Sequence, residues 1–179
     1  GIAAGHTRRT AGSRLLEHQR CYDASEILVE MLRECGHDVR PAPEALYDMT
    51  NDASLRRRVK FFNGAETDFN VELHLNAGGG TYSTTIYYPG SSGGFNLASD
   101  IEVMVDALLP WQSIGEQNQD YFNRNLHFLM ATSAPSVIVE PCFKDDEEQA
   151  EWIDSGSFCL EYSAAVFLGI QRYCTAEQG

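Results

Sequence analysis

One short stretch limits the fold of this chain more than any other: Ser136-Val137-Ile138-Val139, closed by Glu140. Three consecutive β-branched residues favour a strand. Successive strand residues face opposite sides, so an unbroken apolar run has to be covered on both faces. A sheet with helices packed above and below supplies that cover, and 179 residues are enough to build it as one unit.

Helical spacing supplies the covering layers. Ala24, Ile27, Leu28, Met31, Leu32 and Cys35 recur at three- and four-residue steps, which predicts a helix from Leu16 to Cys35 that Gly36 stops. A second helix is expected from an Asn51-Asp52 cap, with Leu55, Val59 and Phe62 facing inward. A third runs from Leu97 to Pro110, and two more cover Asp145–Ile153 and Phe158–Tyr173. Between them, Phe69, Val71, Leu73 and Leu75 alternate with Asn70, Glu72, His74 and Asn76, a half-turn period that marks a strand ended by Gly78-Gly79-Gly80. Ile2-Ala3-Ala4, Thr81–Tyr88 and Leu126–Met130 are further candidate strands. This alternation predicts a single α/β domain over residues 1–179: a mostly parallel, twisted sheet with helices on both faces.

Charge narrows the partners. The chain carries 13 basic and 26 acidic residues, a net charge of −13. A surface this acidic repels nucleic acid and anionic lipid. The longest apolar run, residues 164–170, is far short of the ~20 residues of a membrane span, so neither nucleic acid nor a membrane is an expected partner. Cys21, Cys35, Cys142, Cys159 and Cys174 are odd in number and form no Cys-x-x-Cys, so free thiols are expected.

In open α/β sheets, sites form beyond the carboxyl ends of the strands. Three polar residues fall at such ends: His6 after the first short strand, His74 near the end of the alternating strand, and Glu140 after the buried run. Two imidazoles and a carboxylate can hold a divalent metal or form an acid–base cluster, and a strand histidine can equally serve as a hydrogen-bonded structural residue. Glu140 has to be paired, metal-linked or catalytic, because an unpaired buried charge costs several kcal/mol. A salt bridge to Arg58 or Arg124 is the structural alternative.

Five blocks in order carry a family resemblance: Gly5-His6; Glu17 opening the long helix that ends at Gly36; Leu55-x-x-Arg58 with Asn63; Glu72-Leu73-His74-Leu75-Asn76-Ala77; and Val137-Ile138-Val139-Glu140-Pro141-Cys142-Phe143. Together they resemble the zinc-dependent N-acetylmuramoyl-L-alanine amidases, and most closely the compact catalytic domains of phage endolysins and autolysins. The resemblance implies one catalytic Zn²⁺ held by His6, Glu17 and His74, with Glu140 as general base and acid. It implies a peptidoglycan or muropeptide substrate cut between N-acetylmuramic acid and L-alanine, and action at the bacterial cell wall, secreted, periplasmic or phage-delivered; a monomer is expected. Three protein ligands leave a fourth zinc position open, as a catalytic site requires.

Some residues depart from the family pattern. Thr7-Arg8-Arg9-Thr10 replaces a glycine-rich stretch, and Leu126-His127-Phe128-Leu129 lacks the usual arginine of that segment. Asn76 shares the His74 face and is either a partner of the site or a turn residue. Arg56, Arg57, Arg58 and Lys60 are candidates for a locally basic face on an acidic protein. Three rival readings stand beside the amidase: a zinc peptidase or amidohydrolase acting on another amide, a non-catalytic peptidoglycan-binding module, and a thiol hydrolase built on Cys142.

Overall fold

The computed structural model describes residues 1–176, the Leu15 side chain apart; the last three residues of the expected 1–179 unit lie outside the described residues. Its strands are β1 (Ile2–Ala4), β2 (Asn70–Leu73), β3 (Thr84–Tyr87), β4 (Gln117–Asn118) and β5 (Ser136–Glu140). They form one sheet in the order β1-β2-β5-β3-β4. β1, β2 and β5 are parallel, with Ile2 opposite Val71 and Val71 opposite Val137. β3 runs antiparallel to β5, Thr84 opposite Glu140, and β4 pairs parallel with β3. The sheet is mostly parallel, as the sequence predicts, with one reversed junction.

β5 lies at the centre of the sheet and all five of its residues are buried, which accounts for its unbroken apolar run. Burying a Val or Ile side chain is worth roughly 1.5–3 kcal/mol relative to leaving it exposed. On one face α1 (Ser13–Glu34), α3 (Ser92–Leu108) and α6 (Phe158–Ala176) pack together. Gly169 lets α6 cross close over α3: a Cβ there would stand 2.4 Å from the Ile101 Cα. The other face carries α2 (Asn51–Gly64) and α4 (His127–Ala131), whose Phe62 and Phe128 rings meet edge to face at 6.2 Å. α5 (Glu147–Asp154) packs against α6.

Several local expectations change. Leu126–Met130 is not a strand: α4 occupies it and buries the adjacent Phe128 and Leu129. A short apolar run of this kind fits either element by periodicity alone. The α2 cap is Thr50 rather than Asn51. α5 starts at Glu147, with the Asp146 carboxylate accepting from the Gln149 amide at 3.0 Å. Asp145, expected inside that helix, instead accepts from the Gly78 and Gly79 amides at 2.8 and 3.1 Å. That contact ties the glycine loop after β2 to the loop after β5. Among the described residues no helix is long and apolar enough to cross a membrane.

Candidate active site

β1 ends at Ala4 and the chain turns sharply, with His6 in the left-handed region at φ 56°. Gly5 precedes it because the His74 ring lies against its α-carbon: a Cβ on Gly5 would stand 2.3 Å from His74 Cε1. β2 ends one residue before His74, and α1 brings Glu17 in beneath both rings. Glu17 is 1% exposed. Its Oε2 lies 3.2 Å from His6 Nε2 and also pairs with Lys144 Nζ; its Oε1 lies 3.0 Å from His74 Nδ1 and accepts from the Leu75 amide at 3.0 Å. The two imidazoles meet edge to face, centroids 5.3 Å apart. One ligand atom from each of His6, Glu17 and His74 falls within 4.8 Å of the others. Ligands about 2.0–2.2 Å from a tetrahedral zinc are separated by roughly 3.3 Å, so the three side chains need little adjustment to hold one.

Electrostatics favour a charged cluster. Burial opposes ionisation of Glu17, but the hydrogen bonds and charges of His6 and His74 outweigh it and hold the carboxyl well below the usual range. Burial would also lower the His74 pKa, yet Glu17 and Glu72 on either side of the ring raise it to about 10. Glu72 Oε2 lies 3.2 Å from His74 Nε2, and Glu72 Oε1 accepts from Arg58 Nη2 at 2.9 Å. With Nε2 held on Glu72, Nδ1 is the nitrogen that would, once deprotonated, offer its lone pair to a divalent ion.

Glu140 closes β5 and is 5% exposed. Its Oε1 accepts from Arg124 Nη1 at 3.0 Å, while Oε2 is buried with no hydrogen-bond partner among the described residues. Burial pushes its pKa up, opposed by the positive charges of Arg124 and His74. Glu140 lines the same cavity of about 360 Å³ as His6, Glu17 and His74. A buried carboxylate with one oxygen anchored and the other free can accept and return a proton.

The sequence profile of the N-acetylmuramoyl-L-alanine amidase family matches residues 1–172. The chain belongs to that family. A curated relative, the N-acetylmuramoyl-L-alanine amidase CwlM of Bacillus licheniformis, is 30% identical over 129 residues, or 71% of this chain; the chain spans about half of that relative's length (49%). Among solved structures, the CwlD amidase of Clostridioides difficile in complex with the GerS lipoprotein matches with a TM-score of 0.83 at 17% identity, covering 98% of each chain. The catalytic domain of the CD27L endolysin targeting Clostridia difficile gives a TM-score of 0.77 at 22% identity, covering 96% of this chain and 95% of that one. At these identities the structures show a common fold.

On this amidase-family fold, all four residues singled out in the sequence come together. Three of them, His6, His74 and Glu140, are visible from strand ends alone. Glu17 comes from the resemblance, because in isolation it reads as an ordinary acid of the first helical turns. The two salt-bridge candidates for Glu140 divide: Arg124 makes it, and Arg58 pairs with Glu72 instead. Arg124 thereby brings a guanidinium to the site. Asn76 fits both readings: its Oδ1 accepts from the Ala77 amide at 2.9 Å and from Arg124 Nη2 at 3.4 Å, and it lines the cavity. Arg58 is buried and adds nothing to a basic face. Cys142 is fully buried and burial pushes its thiol pKa up, which disfavours the thiolate a nucleophile needs. Sequence reasoning missed the roles of Glu72 and Lys144. For Glu72 the signal was available: it sits two residues before His74, on the same strand face.

Proposed function

We propose that this domain, residues 1–179, is the catalytic unit of a zinc-dependent N-acetylmuramoyl-L-alanine amidase that hydrolyses the amide between N-acetylmuramic acid and L-alanine in peptidoglycan or its muropeptides. It acts at the bacterial cell wall, as a monomer. One observation carries the reading. A His/Glu/His set with ligand atoms within 4.8 Å of one another shares its cavity with a buried carboxylate whose Oε2 has no partner among the described residues.

His6, Glu17 and His74 would hold the zinc. When bound, the ion supplies Lewis acidity, which polarises a carbonyl and makes water a better acid. The other steps belong to the chain. Glu140 Oε2 takes a proton from the attacking water as its oxygen bonds to the lactyl carbonyl carbon. The C–N bond then breaks, and Glu140 returns that proton to the departing alanine nitrogen. Arg124 holds Oε1 throughout, so the carboxylate keeps its orientation in both directions of transfer.

The test compares Glu140→Gln with His74→Ala, measuring zinc content and peptidoglycan digestion on the same preparations, with products identified by mass spectrometry. Glu140→Gln should keep its zinc and lose at least about 10²-fold in turnover. His74→Ala should lose zinc and activity together. A near wild-type rate in Glu140→Gln would sink the mechanism. Products cut between amino acids would point to a peptidase, and no products in the wild type would leave a binding module.

A further inference from the structure

Among the described residues, Arg58 and Glu72 form a fully buried ion pair, each 2% exposed, with Nη2 and Oε1 2.9 Å apart. Such a pair is a poor way to gain stability. Desolvating two charges costs about what their attraction returns, and apolar residues of similar size often serve as well or better. What distinguishes this pair is where its remaining bonds go. Arg58 Nη1 donates to the His6 carbonyl at 3.1 Å and to Ser54 Oγ at 2.8 Å. The Tyr47 ring lies against the guanidinium, 5.4 Å from centroid to Cζ, and the Tyr47 hydroxyl accepts from the Ala4 amide at 2.9 Å. The second Glu72 oxygen receives His74 Nε2 at 3.2 Å.

We propose that Arg58 and Glu72 are a positioning pair that sets both histidines of the metal cluster at once: the guanidinium grips the His6 main chain by its carbonyl and, through Glu72, the His74 ring. The proposal rests on reading His6, Glu17 and His74 as metal ligands. Each arm answers a specific need. His6 sits at φ 56°, a backbone conformation that L residues adopt at a cost, and the Arg58 bond to its carbonyl offsets that cost. His74 has two ring nitrogens, and a carboxylate on Nε2 fixes which one faces Glu17. The planar guanidinium fork serves the His6 carbonyl, Ser54 and Glu72 together from α2, which a single ammonium cannot do.

The test uses three variants, Arg58→Lys, Glu72→Gln and the double Arg58→Met/Glu72→Leu. For each, the zinc dissociation constant is measured by competition with a chromogenic chelator, beside the melting temperature of the metal-free protein and the absorption spectrum of the cobalt(II) form. Outer partners of metal ligands are worth about 10–100-fold in affinity, so each single variant should bind zinc at least about tenfold more weakly, with an altered cobalt spectrum. The double variant is the discriminating one. A purely structural pair, once replaced by apolar residues, should recover both stability and zinc affinity. A positioning pair should recover stability while affinity stays low. Zinc affinity within twofold of wild type in folded Arg58→Lys, or in the folded double variant, would overturn the proposal alone. A wild-type protein that takes up no zinc would overturn the metal reading, and this role with it.

Discussion

Gly5→Ala is the most searching perturbation that the site offers. The backbone at Gly5 is not in the left-handed region, so alanine meets no conformational strain there. The loss of chain flexibility should even favour folding by about 0.4–1 kcal/mol. The obstacle is the His74 ring. The new methyl would stand 2.3 Å from Cε1, 2.5 Å from Nδ1 and 2.6 Å from Nε2, where ordinary contact begins at 3.4 Å. The ring therefore has to retreat by about 1 Å. It is held on one side by Glu17 at 3.0 Å and on the other by Glu72 at 3.2 Å, so a shift of that size breaks at least one charge-assisted bond. Overpacking of this kind costs about 1–3 kcal/mol and a lost bond to a charged group about 1.5–3, which, less the gain from reduced flexibility, makes the substitution about 1.5–5.5 kcal/mol destabilising. Zinc affinity should fall as well, since ligand positions tolerate about 0.2 Å. The assay is urea unfolding of a double-mutant cycle with His74→Ala. In that background the methyl finds space, and Gly5→Ala should be neutral or slightly stabilising. An equal cost in both backgrounds, or a cost under about 0.5 kcal/mol in the wild type, would refute the reasoning.

Two further outcomes are expected. Glu102 is buried on α3 and accepts hydrogen bonds from Ser83, Thr85 and Ser113; burial raises its pKa, so the folded protein keeps a proton there that the unfolded chain has lost. The associated stability is present in full below the unfolded carboxyl pKa and fades as pH rises through the folded one; Glu102→Gln should flatten that part of a melting-temperature profile between pH 4 and 8 and lift it at the alkaline end, and an unchanged profile would count against this. All five cysteines are free, so reductant should leave the melting temperature unchanged and a thiol reagent should label exposed Cys35 well before buried Cys142 in the folded protein, as peptide mapping can check.

What the sequence shows and what it hides follow physical lines. The buried run of β5 and the alternation around His74 are local signals, and both strands form where those signals lie. Strand ends then place His6, His74 and Glu140 together, because parallel neighbours end on one edge of the sheet. The direction of β3 carries no local signature: Thr84–Tyr87 reads the same in either orientation, and the reversal is set by pairing with β5. Lys144 is hidden for a different reason. Its loop has no periodicity, and its contact with Glu17 spans 127 positions. Glu140 shows how alternatives in a sequence need not exclude each other, since the carboxylate is both salt-bridged to Arg124 and open toward the cavity.

The reversal of β3 also decides which part of the chain is free to vary. β2 runs toward the edge where the histidines lie and β3 starts from that same edge, so residues 74–83 leave the sheet and return to it on one side. This excursion passes the end of β5, which lies between β2 and β3, and is tied down by bridges from Asn76 to Phe143 and from Ser83 to Ser113. Asp145 pins its tip, and Phe143 packs against Gly80, where a Cβ would stand 2.3 Å from the ring. Extra residues between Gly79 and Gly80, which leave both Asp145 bonds and the Gly80 contact in place, would extend the loop beside Ala77, a cavity-lining residue, while the strands and the clustered histidines stay where they are. The rim of the cleft can thus be lengthened or trimmed independently of the floor that carries the histidines.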